Sequence, residues 1–138
     1  MKRSSYRPPQ AGMMLIEVLV SILIFSFGIL GTVALHARAI QYSGNAEDRS
    51  RASLLANEIA SAMWTSGTAT LSTAVTTAWN TRVGDAVATG LPGAVGTVAV
   101  DADGVATITV TWQPTFAAAG ATNRLVTQVV VPPAAVLP

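Results

Sequence analysis

Two places near the start of the chain carry residue types that could do chemistry together: the Gly12–Met13 junction and Glu17. From Met13 to Leu35 the only charged residue is Glu17. That run is about 23 residues, or roughly 34 Å as a helix, enough to cross a bilayer. A carboxylate in hydrocarbon costs about a few kcal/mol even on the lenient insertion scales, so it needs a partner. Cutting the chain after Gly12 would create one, because Met13 would then carry a free ammonium group. Within one helix that end is a single turn from Glu17. Between neighbouring helices, Glu17 would meet the ammonium of another copy.

Other candidates are weaker. Asp101-Ala-Asp103-Gly104 is half of a calcium loop, but Val105 and Thr107 follow and no glutamate completes it. The same four residues read better as a hairpin turn with a positive φ at Gly104. His36 is the only histidine and stands where the apolar run ends, with no acid or nucleophile set around it. It reads as an interfacial residue. No phosphate-cradling loop, ordered triad or metal-ligand cluster is present in the sequence, so no catalytic residue, cofactor or metal is expected. Trp64, Trp79 and Trp112 are expected in core or edge packing, with an exposed tryptophan facing a partner as the alternative.

These residues must be positioned by a long helix. Residues 13–64 read as one helix in two halves. The half 13–35 is apolar all round, which suits lipid or a helix bundle. Ser21 and Ser26 can return their hydroxyls to the backbone there. Gly28 and Gly31 stand at i, i+3, a spacing that lets neighbouring helices approach closely or lets the helix flex; simple tolerance of glycine in membrane helices is the alternative. The half 36–64 is amphipathic: Leu35, Ala39, Tyr42 and Ala46 recur at helical spacing, and Leu55, Ile59 and Ala62 resume the pattern. Glu47 and Arg51 form an i, i+4 pair in the favoured order. The block 47–51 is expected to be a solvated or inter-subunit face. Gly67 is the expected stop.

Residues 65–94 are rich in Thr, Ser, Ala and Gly and predict a loop with short elements, including a helical turn near Ser72–Thr81. Leu91-Pro92-Gly93 is a turn signal. Three strands follow: 95–100, 105–112 and 124–131. In the second, Ala106, Ile108, Val110 and Trp112 alternate with Val105, Thr107, Thr109 and Thr111, the period of a half-buried strand. Pro132 and Pro133 should end the sheet.

The Gly12 junction, the apolar start and Glu17 at the fifth place after the junction resemble the class III signal peptides of type IV prepilins. The family usually shows Phe and Thr where this chain has Met13 and Met14. The stretches 28–35, 39–42, 47–52, 54–59 and 62–63, with the strand Ile108-Thr-Val-Thr-Trp112, look like PilV-type minor pilins. The resemblance covers 13–64 well and is loose beyond. It implies a cut between Gly12 and Met13 by a prepilin peptidase, N-methylation of Met13, and a role for Glu17 in docking the subunit. It also implies partners: other major and minor pilins through the helix, and the assembly machinery of the inner membrane, in contact with lipid. The chain departs from many members in lacking cysteine, and in having no proline from Met13 to Leu91.

The expected fold is α+β and pilin-like: a long N-terminal helix, its first half membrane-spanning, packed on a small antiparallel sheet. The expected organisation is 1–12 leader, 13–35 transmembrane and assembly half, 36–64 amphipathic half, and 65–138 variable loop and sheet. Lys2, Arg3 and Arg7 place the leader in the cytoplasm and the sheet in the periplasm; an uncleaved signal anchor is the alternative. The implied function is a minor pilin that primes or enters a pilus serving twitching, adhesion or DNA uptake. A minor pseudopilin of a type II secretion system shares the same N-terminus and is the rival. A membrane-anchored enzyme is the third reading, opposed by the lack of His, Cys or glutamate after Glu58. With 11% charged residues and net charge +1, binding to nucleic acid through bulk charge is not expected.

Overall fold

The computed structural model describes residues 11–115 and 120–132. Along the chain come α1 (Ala11–Ser66), α2 (Thr73–Gly84), α3 (Ala86–Thr89), β1 (Val95–Val100), β2 (Val105–Trp112) and β3 (Asn123–Val130). The fold is α+β, with a long N-terminal helix packed on a three-stranded antiparallel sheet in which β2 is central. Two compact units divide after Ile40. Residues 1–10 of the expected 1–12 leader and the tail from 133 lie outside the described residues.

In the first unit, α1 runs unbroken through Gly28 and Gly31. Every described side chain from 12 to 40 is exposed. Helical hydrogen bonding satisfies the backbone, and Ser26 and Thr32 add hydroxyl bonds to the carbonyls of Ile22 (2.7 Å) and Ile29 (2.8 Å). A helix of this kind leaves no polar backbone group for lipid to satisfy. α1 is long and apolar enough to cross a membrane.

In the second unit, α1 buries Ala52, Leu55, Ala56, Ile59, Ala60 and Met63, a stripe at steps of three and four. The stripe shares one core with the inner face of β2, where Ala106, Ile108, Val110 and Trp112 are all at most 2% exposed. Fully burying a side chain such as Ile59 or Ile108 stabilises by about 1.5–3 kcal/mol, and this contact is what joins helix to sheet. The register carries the alternation across the sheet: Ile108 opposes Val98 and Thr127, and Val110 opposes Gly96 and Leu125. α1 ends where Gly67 takes φ 66°, its N–H donating to Trp64 O and that of Thr68 to Met63 O. This is a left-handed glycine stop that satisfies the last carbonyls.

The β1–β2 turn matches expectation, with Gly104 at φ 77°. Asp101 Oδ1 accepts the N–H groups of Asp103 (3.0 Å) and Val105 (2.8 Å), so this carboxylate organises the turn.

Four expectations need correction. The turn expected near Ser72–Thr81 is a full helix, α2, held by burial of Trp79 and Val83 one turn apart. Trp64 is 56% exposed, because it follows Met63 off the buried stripe. Leu35, Ala39, Tyr42 and Ala46 are exposed, and the buried face of α1 begins only at Asp48 and Ala52. Asp48 itself is buried, although its neighbours in the charged block are not. It falls four residues before Ala52, on the face the helix turns to the core.

Candidate functional site

Gly12, Met13 and Glu17 all lie in the first two turns of α1. Met13 and Glu17 stand at i and i+4, so they share one face about 6 Å apart along the axis. Both are exposed. In the intact chain the Met13 nitrogen is an amide, and only a cut at Gly12 would turn it into a cation beside Glu17. The Gly12–Met13 bond lies in the first described turn of α1.

Further along the same unit, Gly28 and Gly31 leave open space: a Cβ built on either meets nothing within 4 Å. With Phe25, Ile29 and Thr32, Gly28 lines a shallow groove on the helix surface. His36 is exposed and its Nδ1 lies 2.9 Å from the Thr32 carbonyl oxygen, which requires the proton on Nδ1.

The second unit holds two ion pairs on its surface. Glu47 pairs with Arg51, as the spacing predicted. Arg51 also donates from Nη1 to Gly90 O at 3.2 Å, tying α1 to the end of α3. Glu58 pairs with Arg82 of α2. These exposed pairs are worth about 0–1 kcal/mol each, so they orient more than they stabilise. The Glu58–Arg82 pair was invisible in the sequence, since 24 residues separate the partners and no local spacing marks it. Asp85 caps α3, its Oδ1 accepting from Val87 N and Ala88 N. Among the described residues no group of three His, Cys, Asp or Glu is placed to hold a metal ion.

These features define a class: an α+β protein whose N-terminal helix has an uncovered apolar half, long enough to span a membrane. No protein-family model, no curated protein and no solved structure matches the chain.

Proposed function

We propose that the protein is a minor pilin of a bacterial type IV pilus, resembling the PilV type. One observation carries the reading: from Met13 to Leu35 α1 exposes a mostly apolar surface all round, whose one charged residue is Glu17, four residues after Met13. An uncovered apolar helix calls for lipid or other helices. Its lone acid calls for a positive charge at the same depth. A prepilin peptidase cutting after Gly12 supplies that charge at Met13. In this reading the chain waits in the inner membrane with the sheet unit in the periplasm. It then enters the fibre as its helix packs among those of other pilins, with Glu17 meeting an N-terminal ammonium. Nothing in the reading asks for catalysis or a cofactor.

Mass spectrometry of the protein from the native cell envelope tests this. The expected mature chain begins at Met13 with one methyl group on its nitrogen, and the same protein from a strain without the peptidase keeps residues 1–12. A mature chain that still carries its leader in the presence of the peptidase rejects the proposal.

A further inference from the structure

We propose that the unit from Gln41 onward docks head to tail on a second copy of this chain. The acidic β1–β2 hairpin of one copy enters a cationic cavity at the opposite end of the sheet of the next. The inference starts from an account of charge. Among the described residues of this unit, Arg51 and Arg82 are paired with Glu47 and Glu58. Asp85 and Asp101 turn Oδ1 to backbone N–H groups, and Asp48 is buried. Two cations remain in no ion pair, Arg49 and Arg124. One exposed carboxylate remains with no hydrogen-bond partner, that of Asp103.

The two unpaired arginines come together. Asn45 and Arg49 stand one turn apart on α1. In the sheet, Asn123 is the register partner of Trp112, and Arg124 that of Thr111. With Ala46 and Trp112, these four side chains line a cavity of about 370 Å³. Trp112 is 2% exposed, and its Nε1 is the buried side-chain polar atom that finds no hydrogen-bond partner among the described residues. The lining therefore offers two guanidinium groups and two amides, and no carboxylate. Such a donor set fits a carboxylate, which accepts charge-assisted hydrogen bonds from several directions.

The chain cannot satisfy the cavity from its own hairpin. β2 starts beside the hairpin at Val105 and ends in the cavity wall at Trp112. At about 3.4 Å per residue, those ends are some 24 Å apart. Asp103 reaches Arg49 and Arg124 only across a molecular boundary. A contact between two different surfaces of identical copies is heterologous, and it propagates unless the rotation closes a ring. The inference is independent of the proposed processing at Gly12, and a mature chain with an intact leader would leave it standing.

The test uses the full chain in detergent micelles. The chain has no cysteine, so the double variant Asn45→Cys with Ala102→Cys confines disulfides between copies to these two positions. The distance along β2 is far beyond the ~7 Å limit for a disulfide within one copy. Mild oxidation should give a ladder of disulfide-linked species. Adding Arg124→Glu should abolish the ladder, and adding Asp103→Arg to that variant should restore it by exchanging the charges. Absence of a ladder overturns the proposal. So does a ladder indifferent to Arg124→Glu, which would report association through the apolar helix. Cross-linking of Asn45→Cys in whole membranes to other proteins only, never to Ala102→Cys chains, overturns it as well.

Discussion

Trp79 and Leu55 are joined by a buried hydrogen bond: the indole N–H donates to the Leu55 carbonyl oxygen at 2.9 Å. The bond pins α2 to α1 in the middle of the core stripe. Trp79→Phe keeps most of the apolar volume and removes the donor. It should destabilise the unit by about 0.5–1.5 kcal/mol, the net worth of one hydrogen bond, because the Leu55 carbonyl keeps its helical partner within α1. Denaturant unfolding of the full chain in micelles, followed by near-ultraviolet circular dichroism, measures this.

The same ring explains Gly96. A Cβ at this position would lie 2.5 Å from Trp79 Cη2 and Cζ3, closer than carbon atoms approach. Gly96→Ala should therefore cost about 1–3 kcal/mol through overpacking. If the loss comes from the ring, Gly96→Ala combined with Trp79→Leu should cost less than the sum of the two single changes.

Met63→Ala and Trp64→Ala make a neighbouring pair with opposite outcomes. Met63 is fully buried and its truncation should cost about 2–5 kcal/mol. Trp64 is 56% exposed, so its truncation should change stability by about 0.5 kcal/mol or less. Equal losses at the two positions would contradict the observed helix face.

Trp112→Phe is expected to be neutral or stabilising, unlike the change at Trp79. The Trp112 N–H is buried without a partner, and removing an orphaned donor relieves its desolvation penalty. The same unfolding measurement decides it, and a loss above about 1 kcal/mol would mean that the N–H has an acceptor.

Glu17→Gln tests the assembly reading. Cleavage at Gly12 should continue, while the amount of protein in sheared fibres should fall by about tenfold or more. A lipid-buried ammonium left without its counter-charge costs about 3–5 kcal/mol, and each 1.4 kcal/mol is a factor of ten. Gly28→Leu complements it. The open space around Gly28 predicts an unchanged helix, so any drop in incorporation would report contact with another helix.

Much of this architecture was legible because short-range periodicity is decisive where one face is buried. The alternation from Val105 to Trp112 names the inner face of β2 residue by residue, and the structure buries the same four side chains. Gly67 and Gly104 mark a helix stop and a turn that need positive φ, and both adopt it. The apolar run with its single acid is equally a property of the sequence, since the length and polarity of one helix need no tertiary partner to be read.

Long-range packing decided the rest. Thr73 to Gly84 holds three threonines besides Thr73 and little apolar signal, and β-branched residues weaken helix propensity. It is helical because Trp79 and Val83 find the core and Trp79 finds the Leu55 carbonyl. Leu35 and Tyr42 have the right spacing for a buried face, yet burial starts with Asp48 and Ala52, where the core that α1 shares with β2 begins. The convergence of Arg49 with Arg124 likewise needs α1 and β3 brought to one end of the sheet, 75 residues apart in a chain of 138. Helix, strand and turn are short-range events that local sequence can specify. Which side chains end up sharing a core or a cavity is set by the surfaces those elements bury against one another, and only the folded chain decides that.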